Sequence, residues 1–294
     1  MSESTSGAPT LQEIIFRLQE YWSDYGCVIV QPYDHEVGAG TFHPCTFFGV
    51  QGPDPWKVAY VQPSRRPTDG RYGDNPNRLY QHHQFQAIIK PSPVNAQEVY
   101  LKSLEAIGID PRIHDLRFEE DDWESPTLGA TGLGWQILCD GTEISQFTYF
   151  QQMAGFEMKP VTLELTYGLE RIAAFVQGKD HVMDIEWTKG VTYRDMRKMF
   201  EFELSDYSFS HATLDRHWRF FTQAEQECQE TLEAKIPYAA YEWLMNCSHW
   251  FNVLDARGAI SVTQRTAFIA KIRNMALNCA KCYRQVKGID KEEK

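Results

Sequence analysis

Residues 62–78 read QPSRRPTDGRYGDNPNR, with four arginines (Arg65, Arg66, Arg71 and Arg78) and no lysine. Prolines and glycines interrupt the stretch, so neither a helix nor an unbroken strand can run through it. A guanidinium is planar, permanently charged and forked, which suits it to carboxylates and phosphates. The chain as a whole is acidic, with formal net charge −11 and a sequence pI of about 5.3. The loop is therefore either a solvated segment with scattered ion pairs or a built anion site. Its second flank, LYQHHQFQAIIKP, puts Gln81, His83, Phe85, Ala87 and Ile89 on one face of a strand. Phe85 beside arginines suits a nucleotide, the ring on the base and the guanidinium on phosphate; the alternative is a core phenylalanine with exposed polar neighbours.

A second segment, TLELTYGLERIAAFVQG, runs from a strand through Gly168 directly into a helix. Val161, Leu163 and Leu165 take one face of that strand, and Thr162, Glu164 and Thr166 the other. Arg171 sits in the first helical turn, off the apolar stripe of Leu169, Ile172, Ala173 and Val176. Free amides and the helix dipole already favour an anion there; the bland alternative is a surface pair with Glu170. A third segment, DDWESPTLGATGLGWQILCDGTEISQF, has glycines at 129, 132 and 134 but no Gly-Lys-Ser/Thr. The residues after these glycines read as strand rather than helix, so both the P-loop and the dinucleotide fingerprint are excluded. The glycines are expected to let backbone approach a small ligand, and Glu143 to offer a carboxylate to Mg²⁺. Seven scattered cysteines suit reduced thiols. Cys279 and Cys282 lack a second pair and read as half-buried helix residues rather than zinc ligands. His82 and His83, adjacent on a strand, point to opposite faces.

The elements that must hold these residues are set by periodicity. Residues 1–9 read as a flexible tail. Thr10 and Glu13 form a capping box ahead of Leu11, Ile14, Leu18 and Trp22 at helical spacing. A short strand covers 27–30, strands at 57–62 and 81–90 make a long-armed hairpin around the arginine loop, and a helix lies between Asn95 and Gly108. Asp140-Gly141 marks a further hairpin. After residue 209 the pattern is all helical, with Pro237 and Gly258 as breaks and a capping box at Ser261 and Gln264. The fold class is α+β: an antiparallel sheet flanked by helices (10–209), followed by an all-helical C-terminal region (210–294). No apolar run is long enough for a bilayer and no secretory signal is visible, so a cytoplasmic enzyme with no membrane association is expected.

Taken together, the three segments resemble the three motifs of class II aminoacyl-tRNA synthetases. Over nearly its whole length, from LQEYWSDYGCVIVQPYD to the last helices, the chain is similar to the alpha chain of the bacterial two-chain glycine–tRNA ligase. Alanyl-tRNA synthetases offer a second likeness: a tryptophan before a Gly-rich stretch (Trp123), His-His before an aromatic, and a carboxylate seven residues ahead of the third-motif arginine (Glu164). The resemblance implies ATP and Mg²⁺, glycine activation to an adenylate, and transfer to the 3′ end of tRNA(Gly). It also implies a beta chain and an alpha–alpha homodimer within a tetramer of two alpha and two beta chains. Its catalytic residues would be Arg65 and Arg171. ATP would meet Arg65, Phe85, Arg171 and Glu143, with Glu143 on the metal. Glycine would meet Glu164, Gln146, Trp123, Thr166 and Gln31. The second motif commonly reads Arg-x-Glu, whereas Arg65 is followed by Arg66 and Pro67, so the acid for the adenine amino group is missing at that spacing. The rival expectations are a synthetase for another small amino acid such as alanine, a non-catalytic synthetase-like binding module, and a different ATP-dependent ligase on the same fold.

Overall fold

The computed structural model of the protein describes residues 7–290. Residues 1–6, most of the expected tail, lie outside the described residues; the carbonyl of Pro9 accepts from Gln177 Nε2 at 3.1 Å. Helix α1 (Leu11–Asp24) starts at the capping box, Thr10 N–H donating to Glu13 and Glu13 N–H to Thr10 Oγ1. It buries Leu11, Ile14, Leu18 and Trp22. Strand β1 (Val28–Ile29), the short helix α2 (Pro44–Phe47) and the hairpin β2 (Trp56–Arg65) and β3 (Gln81–Lys90) come next. Then come α3 (Ala96–Ala106), β4 (Leu116–Glu120), β5 (Trp123–Ser125), β6 (Ala130–Cys139), β7 (Thr142–Met153), β8 (Phe156–Gly168) and α4 (Leu169–Gln177). A small pair, β9 (Glu186–Thr188) and β10 (Val191–Thr192), leads into α5 (Tyr193–Asp206), whose end continues as a π-helical turn over Tyr207–His211. The chain ends in three long helices, α6 (Leu214–Glu233), α7 (Pro237–Ala256) and α8 (Val262–Lys287).

The main sheet runs β1-β2-β3-β8-β7-β6-β4, with β5 also on β6. β1 is parallel to β2 and every other pairing is antiparallel. The β6–β7 turn holds Asp140 and Gly141 at φ +48° and +84°, the left-handed pair a tight hairpin requires. Gly132 and Gly134 serve the sheet rather than a ligand: a Cβ on either would collide with β7, against Thr148 Cγ2 and the Phe147 carbonyl respectively. That corrects the expectation of a ligand-facing glycine stretch.

Strand alternation sorts the sheet into two faces. One carries Phe85, Ala87, Ile89, Leu163 and Leu165 and packs under α1, α3 and α4. The other carries Val58, Tyr60, Ile88 and Phe150 and packs against Phe221, Tyr241, Leu244, Ile272 and Cys279 of α6, α7 and α8. The described residues are three-layered, and the helices α6, α7 and α8 form the third layer. Cys279 and Cys282 are free thiols, buried in α8 rather than half-buried. Among the described residues no helix is long and apolar enough to cross a membrane.

Candidate active site

At one end of the second face the sheet is not covered by helices, and a cavity of about 430 Å³ opens there. The register explains its walls. Gln62↔Gln84, Ser64↔His82, Gln86↔Thr166 and Gln146↔Thr166 pair across β2, β3, β8 and β7, so even-numbered residues of four strands share this face. His82, Gln84, Gln86, Gln146 and Thr166 line the cavity, and Thr166 Oγ1 donates to Gln86 Oε1 at 2.7 Å. Trp123 closes one side and packs on Phe150 with ring centroids 5.5 Å apart.

Three guanidinium-bearing residues reach this wall: Arg66, Arg78 and Arg171. Arg65 does not. It lines a neighbouring cavity of about 250 Å³ with Thr68, Ser125, Thr127, Ser248 and Asn252, and faces Glu36 at 3.7 Å. The two part at the end of the strand: Arg65, the last residue of β2, turns towards Ser248 and Asn252 of α7, and Arg66, one residue beyond it, reaches the larger cavity. Arg66 also lines the second cavity, forming the partition between the two. Desolvation in the cleft lowers its pKa against the pull of Asp69, and the charge of Arg171 adds to that shift. Arg71 reaches neither cavity and donates instead to the Thr68 and Gly70 carbonyls.

Phe85 requires a second correction. It is fully buried on the opposite face, with Tyr167 edge-on at 5.9 Å, so it cannot stack on a ligand in this cavity. The aromatic on the cavity wall of β3 is His82. Burial and then the neighbouring Arg66 charge push its pKa down to about 3, so the ring is neutral. His83 points the other way, as adjacency on a strand requires, and its Nδ1 meets Glu170 Oε1 at 2.7 Å. Glu170 is therefore not a partner for Arg171. Arg171 Nη1 lies 2.6 Å from Glu143 Oε2, and both side chains are half exposed on the cavity wall.

Glu164 stands one layer behind the wall. It is 2% exposed and accepts from Thr41 Oγ1 at 2.8 Å, and Thr41 does face the cavity. Burial pushes its pKa up to about 8, with the Thr41 hydrogen bond opposing. Gln146 has a buried Nε2 without a partner among the described residues, a donor available to a bound carboxylate. Gln31 is exposed and outside the cavity; its carbonyl meets His43 Nε2 at 3.0 Å. Thr41, carried on a 3-10 turn (Gly40–Phe42), lies on the wall instead. Sequence reasoning missed Arg66, Arg78, His82, Gln86 and Thr41. For β3 the signal was present: Phe85, Ala87 and Ile89 alternate with His82, Gln84 and Gln86, which reads as a buried face and a polar face.

An antiparallel sheet that brings arginines from a strand hairpin and from a strand–glycine–helix junction onto one cavity defines the catalytic domain of a class II aminoacyl-tRNA synthetase. The chain belongs to the glycyl-tRNA synthetase alpha subunit family, which matches it over residues 11–288. It is thus the catalytic subunit of a ligase that charges tRNA with glycine, and ATP is its substrate. The family name implies a partner beta chain and a tRNA. Two solved structures of pyrrolysyl-tRNA synthetase from Desulfitobacterium hafniense are similar to parts of the chain. One is 16% identical, covering 64% of this chain and 77% of that one at a TM-score of 0.44. The other is 13% identical, covering 62% and 74% at a TM-score of 0.43.

Proposed function

We propose that the larger cavity binds ATP and glycine side by side and joins them as glycyl-adenylate. The observation that carries this reading is the convergence of Arg66, Arg78 and Arg171 on the wall of one cavity whose floor is polar and whose far side hides a carboxylate. A glycine carboxylate oxygen attacks the α-phosphorus, the bond to the bridging oxygen breaks, and pyrophosphate leaves. A tRNA 3′-terminal hydroxyl then takes the glycyl group and AMP departs. Both nucleophiles belong to substrates, so the protein contributes position and charge. Arg66 bridges the α-phosphate and the glycine carboxylate, the place that the resemblance gave to Arg65. Arg171 holds the γ-phosphate and covers the adenine opposite His82, which takes the place expected for Phe85. The glycine ammonium displaces the Thr41 hydroxyl as donor to Glu164, with Gln146, Thr166 and Trp123 around it.

Glu143 fits a magnesium site by its chemistry. It is a hard oxygen donor on the cavity wall, one oxygen held by Arg171 and the other without a hydrogen bond among the described residues. Mg²⁺ bound there with the nucleotide would neutralise phosphate charge. An acidic chain, net −11, is poorly suited to grip RNA alone. The beta chain therefore supplies most of the tRNA contact, in a cytoplasmic tetramer of two alpha and two beta chains, with the helices after residue 209 as its docking surface. The test is glycine-dependent ATP–pyrophosphate exchange over a panel of amino acids, then tRNA charging with and without the beta chain. Exchange with glycine alone among the panel, and charging only with the beta chain, is the expected result. Equal exchange with alanine would overturn the glycine assignment.

A further inference from the structure

The arginine loop, residues 66–80, has no strand ladder of its own, and β3 outlasts its neighbour. Pairing with β8 begins only at Gln84↔Gly168, because the chain turns there into α4. The outward amides ahead of that point need other acceptors. Glu170 accepts the His83 N–H at 2.9 Å. Glu201 of α5, fully buried, accepts the Tyr80 and Gln81 N–H groups at 2.6 and 3.0 Å, one on each carboxylate oxygen.

Glu201 is not alone. Arg197 donates to the Gln81 side-chain carbonyl. Lys198 Nζ donates to the Tyr72 carbonyl at 2.9 Å and to the Asp74 carboxylate. Ser205 Oγ accepts the Tyr72 N–H at 3.1 Å. Positions 197, 198, 201 and 205 fall on one helical face. The loop lies closer to that face than a side chain would allow. A Cβ on Gly70 would sit 2.7 Å from Ser205 Oγ, and one on Gly73 2.9 Å from Lys198 Cδ. Tyr72, at φ +57° in the left-handed region, is held there against the Phe202 and Phe209 rings at 5.7 and 6.0 Å. None of the three segments that resemble the synthetase motifs includes α5, yet it bonds the loop near its middle and at its exit.

We propose that α5 is the bed that fixes the arginine loop, with Glu201 as its central positioning residue, so that Arg66, Arg78 and His82 face Arg171 before nucleotide arrives. The proposal rests on the reading of the larger cavity as the ATP site. Glu201→Gln keeps the volume but turns one acceptor into a donor facing an amide N–H. Lys198→Met removes the Tyr72 and Asp74 contacts from a partly exposed position and leaves the buried carboxylate intact.

The experiment measures ATP dissociation constants, the glycine KM in pyrophosphate exchange, and amide hydrogen exchange over residues 66–82, on the full chain. Glu201→Gln is expected to weaken ATP by about tenfold or more. Lys198→Met shifts ATP affinity the same way by a smaller factor. Both speed loop exchange, and both weaken ATP by a larger factor than they raise the glycine KM, because Arg66 alone among the loop's groups also meets glycine, a split that general destabilisation does not produce. If Glu201→Gln fails to fold, Lys198→Met alone decides. Wild-type ATP affinity and loop protection in these variants, beside an Arg66→Ala that loses ATP, would overturn the proposal. An Arg66→Ala that binds ATP normally would instead remove the nucleotide reading, and the proposal with it.

Discussion

Arg66 works through fixed charge, so its removal is felt where negative charge builds up. Arg66→Ala is expected to lower glycine-dependent pyrophosphate exchange by about 10²–10³. Arg65→Ala, which breaks a partly exposed pair with Glu36 outside the larger cavity, lowers it by about tenfold at most. Equal losses in the two variants would return the phosphate role to position 65. Glu164 makes a second prediction through its proton. Its carboxyl is raised from about 4.3 in an unfolded chain to about 8 in the folded one, by burial. The folded state thus binds the proton more firmly, and the contribution to stability falls as pH rises between those values. A substrate ammonium needs the ionised form. The glycine KM should therefore fall by up to about tenfold per pH unit on the way to pH 8, and level off above it. A KM flat from pH 6.5 to 8.5 would remove Glu164 from the ammonium site.

Hairpins and caps set where these groups stand. The β6–β7 turn needs Gly141 at φ +84°, with nothing within 4 Å of its missing Cβ. Gly141→Ala is therefore a backbone substitution without a clash, and should cost about 1–2 kcal/mol in urea unfolding. An unchanged midpoint would show that the turn relaxes. The β2–β3 hairpin and the β8–α4 junction place Arg66 and Arg171 by different means. The first depends on strand register, which a slip of one residue would reverse. The second depends on the first helical turn after Gly168, where Arg171 is presented beside free amides.

Seen across all three layers, the sheet shares its second core with α6, α7 and α8, and Tyr241 of α7 donates to the Phe42 carbonyl at 2.7 Å, next to Thr41. Calorimetry on the full chain should show one cooperative transition rather than two. Separate transitions would mean that residues 210–294 fold alone. Tyr241→Phe leaves the buried Phe42 carbonyl without its donor and should cost about 1–2 kcal/mol, read as a lowered urea midpoint.

Local rules sufficed for much of this architecture. The capping boxes at Thr10 and Ser261, the Asp140-Gly141 turn, the two hairpin arms and the strand–Gly168–helix junction are short-range devices, and each forms where its residues say. The faces of β8 were also legible, because Leu163 and Leu165 alternate with Glu164 and Thr166. What eluded such reading was which face of β3 looks into the cavity, which of two adjacent arginines turns inward, and that Glu201 anchors a loop 120 residues earlier in the chain. Helix and turn signals act over a few residues. The direction of a side chain at a strand's end, and the partner of a buried amide, depend on what distant segments pack beside it, and no local spacing encodes that.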